Sequence, residues 1–160
     1  MSRTSAERRD AIVEQLGYLV DEVDALGPLL SGLPPDVPTM HLPGERSLLG
    51  TLAYLAALDR RDLLRLNRMV EEHEPAFEES VLGEVLSADV DAVIRDVRAA
   101  RGALAAAFAA LPPEAWARTA AFPDGTQRDV TGLALTVTQR DADALRRVAH
   151  RLHESNLRDL

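Results

Sequence analysis

The stretch SLLGTLAYLAALDRRDLLRLNRMVEE, residues 47–72, contains the clearest helical pattern in the chain. Its apolar residues recur at steps of three and four, so they fall on one face of an α-helix. This face consists of Leu48, Leu52, Leu55, Leu63, Leu66 and Val70. Asp59 falls on the same face, where a leucine would be expected. The pattern predicts an amphipathic helix with one charged residue on its buried side.

Three further stretches show the same periodicity, and two of them also carry a charge on the apolar face. We predict a first helix over residues 6–26, ended by the Gly-Pro pair at 27–28. A third helix should follow Ser87 as its N-cap and end before the Pro-Pro pair at 112–113, with Arg101 interrupting its apolar face. A fourth should run over about residues 128–155, with Asp141 on its apolar face.

The segments between these helices predict loops. Residues 31–45 contain four prolines and should form a long connection. Residues 76–86 could form a short extra turn or helix. The loop after the third helix contains the turn signal Pro123-Asp124-Gly125 but shows no clear strands. The whole pattern predicts an all-α, antiparallel four-helix bundle; the rival interpretation is a three-helix bundle with an irregular tail.

Composition limits the classes of function. The 160 residues suit one domain, and aromatic residues make up only 4% against 46% hydrophobic residues, so the core must be largely aliphatic. The net charge of -8 argues against nucleic acid and against an anionic membrane as partner. There is no cysteine, which excludes disulfides and thiolate metal sites. With no signal-peptide pattern and no apolar run of about 18 residues, we expect a cytoplasmic protein.

Two segments resemble the DinB-like family of helical bundles. Residues 43–55, PGERSLLGTLAYL, resemble the stretch in which a Pro/Gly turn and a Trp-Ser pair open the family's second helix. Residues 138–148, TQRDADALRRV, resemble its last helix, and residues 111–116, LPPEAW, resemble the loop after its third. The resemblance implies a single DinB-like domain over residues 1–160.

The same resemblance implies a place for a metal ion but not the ligands to hold it. In the family, one histidine from helix two and two from the last helix typically bind a divalent metal. Those positions align with Tyr54, Arg140 and Ala144, and a shift of one residue would place Gln139 and Asp143 at the last pair. Arginine and alanine are not ordinary metal ligands, and tyrosine rarely is. We therefore predict no metal and no cofactor. Because relatives pair through helix faces, we also expect a homodimer.

Two interpretations of the charged residues stay open. Asp59, Arg101 and Asp141 interrupt apolar faces, and a buried charge is costly unless paired, so we expect pairs among them or a wet cavity. One interpretation is a structural salt-bridge network. The other is a pocket for a small anionic molecule at the vacated metal site, formed by Tyr54, Asp59, Arg140, Asp141, Ala144 and Arg147.

Two hypotheses of function follow from these alternatives. The first is a DinB-like protein that is non-catalytic or binds a small molecule. The second is a transferase or hydrolase that depends on a thiol or on a relocated metal. His150 and His153, spaced i and i+3, are the histidine pair that could share a relocated ion, although the favoured interpretation is that both are solvated polar residues.

Overall fold

A computed structural model describes residues 3–84 and 86–158, and it contains the four predicted helices. They are α1 (Ser5–Ser31), α2 (Leu48–Glu71), α3 (Val90–Ala109) and α4 (Val130–Arg158). Two 3-10 helices (Val37–Thr39 and Pro113–Ala117) and a two-stranded antiparallel hairpin, β1 (Thr119–Ala121) with β2 (Gln127–Asp129), occupy the connections. The prediction of a four-helix bundle with a long first connection is confirmed, and the three-helix alternative is wrong.

Polar side chains at the helix starts explain where three of these helices begin. A capping box opens α1, since the Thr4 hydroxyl accepts from the Glu7 amide at 3.2 Å and the Glu7 carboxylate accepts from the Thr4 amide at 2.7 Å. Ser47 caps α2 through the Gly50 amide. The predicted cap of α3 is corrected: Asp89, rather than Ser87, accepts from the first amides of the helix.

The sequence misplaced one helix end and missed one hairpin. Helix α1 continues through Pro28 to Ser31. Proline has no amide hydrogen, but the loss of one backbone hydrogen bond near a helix end is offset by burial of Leu30 in the core. The loop predicted to lack strands forms the β1–β2 hairpin around Gly125, whose φ of 84° suits glycine. Strands of three residues are too short to show an alternating pattern.

Residues 76–84 and 86 form no helix, while residue 85 lies outside the described part of the chain. An extended segment is held against the hairpin instead: the Phe77 amide donates to the Ala121 carbonyl, and the Ala121 amide donates to the Pro75 carbonyl, both at 2.9 Å. The suggestion of an extra helix there is therefore wrong for the described residues.

The helices run in two directions around two apolar clusters. In one cluster, Leu16 in the first half of α1 packs with Leu66 and Leu104 in the second halves of α2 and α3, and with Leu133 near the start of α4. Helices α1 and α4 therefore run one way, and α2 and α3 run the other way. Each of α1 and α2 packs against both α3 and α4. Consecutive helices are thus diagonal or parallel, which accounts for the long connections.

A band of charged side chains separates the two apolar clusters. The first cluster contains Val97 of α3 and the second contains Leu104, with Arg101 between them on the same buried face. We call the connected residues at this level the charged layer: Asp59, Asp62, Arg101, Arg140 and Asp141. Within residues 3–84 and 86–158, no helix is both long enough and apolar enough to cross a membrane.

Candidate functional site between α2 and α4

The centre of the charged layer is a guanidinium held between two carboxylates. Arg101 and Asp59 are fully buried, and Asp141 is 7% exposed. Arg101 donates to both oxygens of Asp59 at 2.9 Å and to those of Asp141 at 2.5 and 2.9 Å. It also donates to the Leu16 carbonyl at 3.1 Å. The expectation that the three charged interruptions pair with one another is confirmed, and all four helices meet at this point.

Burial and charge act in opposite directions on these groups. For Arg101, burial lowers the pKa, but the hydrogen bonds and charges of Asp141 and Asp59 outweigh it, so the pKa lies above its usual range. For Asp141, burial raises the pKa, and the nearby charge of Asp59 adds to this, while Arg101 opposes it. The net direction for Asp141 is upward. The layer therefore stabilises a permanent cation at its centre, while burial disfavours ionisation of Asp141.

Arg140 extends the layer toward the surface. Its Nη2 donates to Asp59 at 2.7 Å, and its Nη1 donates to Asp62. Asp62 also accepts from Arg61 at 3.1 Å. Asp62 follows Asp59 by three residues and precedes Leu66 by four, so the spacing that singled out Asp59 could also have found it.

A cavity of about 570 Å³ adjoins the layer, between the first half of α2 and residues 140–151 in the middle of α4. Tyr54, Arg140, Ala144 and Arg147 all line it, so the structure brings together four of the six residues singled out from the sequence. The other two, Asp59 and Asp141, lie beneath it in the charged layer and do not line it. Leu48, Leu55, Leu58 and Val148 form a buried aliphatic floor.

Two arginines at the cavity mouth were not anticipated. The Arg46 guanidinium lies 4.0 Å from the centre of the Tyr54 ring and pairs with Glu84 at 2.5 Å. Arg151 donates to the backbone carbonyls of Arg46 at 2.6 Å and Met40 at 2.9 Å, which fixes the connection before α2 against α4. Arg151 follows Arg147 by one helical turn, but only the folded loop brings Arg46 to the same mouth.

The donor set at the three aligned positions does not fit a metal ion. Ala144 has no donor atom, and the guanidinium of Arg140 is a permanent cation that already bonds to Asp59 and Asp62. Only the Tyr54 hydroxyl could serve as a ligand there. In the alternative alignment, Asp143 lines the cavity while Gln139 is exposed and does not. The residues present therefore do not fit the metal that the family resemblance implies.

The histidines do not supply a replacement site. The Nε2 atom of His150 lies 3.2 Å from Oε1 of Glu154, which is one turn further along α4. Both His150 and His153 are exposed. Across the residues whose placement is described, no three His, Cys, Asp or Glu side chains are grouped so as to hold a metal ion. A metal shared by His150 and His153 would thus lack a third protein ligand among these residues.

Comparison with known proteins supports the architecture. No family model matches the sequence, and no curated protein is similar to it. Among solved structures, the chain is similar to YfiT from Bacillus subtilis, described as a probable metal-dependent hydrolase with an unusual four-helix bundle topology. The TM-score is 0.75 at 15% identity, over 96% of this chain and 92% of that one. The DinB-like fold predicted from the sequence is confirmed.

Proposed function

We propose that this DinB-fold chain binds a small organic anion in the cavity between α2 and α4, without a metal ion. The observation that supports the proposal most strongly is the composition of the cavity wall. Four arginines, Arg46, Arg140, Arg147 and Arg151, line one cavity of a protein whose net charge is -8. Its volume of about 570 Å³ falls in the range of roughly 300–1,000 Å³ that small-molecule sites occupy.

Arg147 is the arginine best placed to meet a ligand. Its neighbour Arg146 pairs with Asp143 at 3.2 Å, whereas Arg147 forms no ion pair with any residue that the structure describes. It lies at the exposed edge of the cavity, where its long side chain can reach inward. The Tyr54 hydroxyl has no hydrogen-bond partner among the described residues either, so it can donate to the same anion.

Arg140 would contribute in a different way. Its Nε is buried and has no hydrogen-bond partner among the described residues, while its two Nη atoms are held by Asp59 and Asp62. The two carboxylates neutralise its charge and fix its position. We therefore assign Arg140 to the inner end of the site, as a rigid polar boundary, rather than to capture of the anion.

A metal-dependent reaction at this place is the less favoured function. At the three aligned positions a divalent cation would find only the Tyr54 hydroxyl as a ligand, and the positive charge of Arg147 at the same cavity would repel it. A transferase or hydrolase using a relocated metal would need another ligand set. We infer that the vacated site has become a binding site, and that the protein acts without catalysing a reaction there.

The proposal can be tested with benzoate and its uncharged counterpart benzamide. In a nuclear magnetic resonance titration of the ¹⁵N-labelled protein, benzoate should shift the signals of residues around Tyr54 and Arg147, and benzamide should not. Arg147→Gln should weaken benzoate binding roughly tenfold, the effect of losing one charge-assisted hydrogen bond. Arg146→Gln removes the same charge from the same helix and should have little effect. Equal weakening by both variants would contradict a specific site.

Three broader expectations accompany the proposal. We propose that the 160 residues act as one cytoplasmic domain and that two copies form a homodimer. The α3 surface supports the dimer, since Ala99, Gly102, Ala103 and Ala106 are exposed at helical spacing and would allow a neighbouring helix to approach closely. Sedimentation equilibrium should then report a mass near twice 17.4 kDa at micromolar concentration. A mass near 17.4 kDa, that of a single chain, would contradict the proposed dimer.

A further inference from the structure

We propose that the natural ligand of the cavity is a singly charged carboxylic acid with an aliphatic chain. The inference rests on the anion binding proposed above and goes beyond it by naming the ligand's charge, its head group and the chemistry of its body. Three features of the cavity support it: the balance of charge at the mouth, the aliphatic floor, and the small number of aromatic rings on which a ligand could stack.

The charge at the mouth suits one negative charge. Arg46 is neutralised by Glu84, and Arg140 by Asp59 and Asp62. Of the remaining charges that line the cavity, Asp143 pairs with Arg146. This leaves the positive charges of Arg147 and Arg151 and the negative charge of Glu45, none of which is in an ion pair within residues 3–84 and 86–155. One positive charge is thus uncompensated, which fits a carboxylate better than a doubly charged phosphate monoester.

The floor of the cavity suits an aliphatic body. Leu48, Leu55, Ala144 and Val148 all belong to the first apolar cluster, so the cavity opens directly onto the core of that half of the bundle. An apolar chain lying on these side chains would leave water for a fully aliphatic surface. Each buried CH₂ should then strengthen binding about fourfold, until the floor is covered.

The aromatic content of the cavity argues against a ligand held by stacking. Tyr54 is the one aromatic residue among the described residues that line the cavity. One face of its ring is already covered by the Arg46 guanidinium at 4.0 Å. A planar aromatic ligand would therefore contact only aliphatic side chains on the floor. A flexible alkyl chain can pack against such side chains at any rotation about its own long axis.

The geometry gives the ligand a definite orientation. The carboxylate would lie at the mouth, where Arg147 and the Tyr54 hydroxyl can donate to it, with Arg151 one helical turn beyond. The chain would run inward past Ala144 toward Leu55 and Leu58, and stop at the rigid layer formed by Arg140 with Asp59 and Asp62. This layer sets the depth of the cavity and therefore an upper limit on chain length.

Calorimetric titration of the full chain with acetate, butanoate, hexanoate and octanoate tests the inference. We expect affinity to rise about fifteenfold for each two added CH₂ groups. Octan-1-ol should bind far more weakly than octanoate, and octyl phosphate should bind no more tightly. Ala144→Leu, which fills the cavity beside the chain, should weaken octanoate at least tenfold more than it weakens acetate. Ala149→Leu, at an exposed position of the same helix, is the matched control.

The possible results separate the two proposals. Equal affinity for all four carboxylates would overturn the aliphatic ligand and leave the anion site standing. Much tighter binding of octyl phosphate would overturn the single charge, and octan-1-ol binding as tightly as octanoate would overturn the need for a carboxylate. If none of the carboxylates binds and benzoate does not bind either, the proposed function itself fails.

Discussion

Arg101 and Asp59 form a bidentate ion pair in which neither side chain is exposed to solvent, and both nitrogen–oxygen distances are 2.9 Å. Planar guanidinium and carboxylate groups match in this geometry, which a lysine could not reproduce. Because α3 provides the arginine and α2 the aspartate, the pair fixes how these two parallel helices lie along one another. Asp141 then attaches α4 to the same guanidinium.

Removing the central cation should destabilise the protein strongly. Arg101→Met leaves Asp59 and Asp141 buried without their main partner, and breaking a buried ion pair in this way costs about 3–5 kcal/mol. Denaturant unfolding should show this loss. The triple variant Arg101→Met, Asp59→Leu, Asp141→Leu removes the charges together and should lie near the wild type in stability, since apolar replacements of buried ionic groups are often neutral. A triple variant as unstable as the single one would show that the layer contributes more than charge balance.

The raised pKa of Asp141 predicts a specific dependence of stability on pH. The pKa of its carboxyl in the folded protein lies above the ordinary value of 3.8 that applies to the unfolded chain. The stability it contributes is therefore fully present below pH 3.8 and is lost as pH rises through the folded pKa. Unfolding free energies of the wild type and Asp141→Asn should be compared from pH 3 to 7. The wild type's advantage should decrease with rising pH; an advantage that grows would mean that Arg101 dominates this carboxyl.

Restoring the histidine triad should create a metal site that the wild type lacks. Tyr54→His, Arg140→His and Ala144→His together place three imidazoles around one cavity, which is an ordinary zinc ligand set. Calorimetry with Zn²⁺ or Ni²⁺ should detect binding by the triple variant only. The loss of stability should be limited, because Asp59 keeps Arg101 and Asp62 keeps Arg61. Tight binding by the wild type, abolished by Tyr54→Phe, would show that the cavity is still a metal site.

Arg118, the residue directly before β1, should stabilise the protein by capping the end of α2. Arg118 donates to the carbonyls of Met69 at 2.6 Å and Glu72 at 2.7 Å, which are otherwise unpaired at the end of α2. Arg118→Ala should cost about 1–3 kcal/mol in unfolding free energy. Arg95→Ala, on an exposed position of α3, provides the control and should change stability by less than about 0.5 kcal/mol. Equal effects of the two substitutions would exclude a capping role for Arg118.

The sequence predicted the elements whose signals are local and missed those that depend on packing. Asp59, Arg101 and Asp141 could be found because each interrupts an apolar face of its own helix. Arg46 could not, since its place at the cavity mouth depends on the fold of the loop before α2. The end of α1 was misplaced because burial of Leu30 outweighs the proline signal at Pro28. The hairpin was missed because its strands have three residues each.

Binding of an organic anion without a metal ion is the function that we propose for the cavity lined by Tyr54, Arg140, Ala144 and Arg147. It is tested most directly by titrating untagged protein with benzoate before and after treatment with a chelating resin. We expect the same affinity, and shifts in the signals of the same cavity residues, in both titrations. Binding that disappears after the resin, and returns when Zn²⁺ or Ni²⁺ is added, would contradict it.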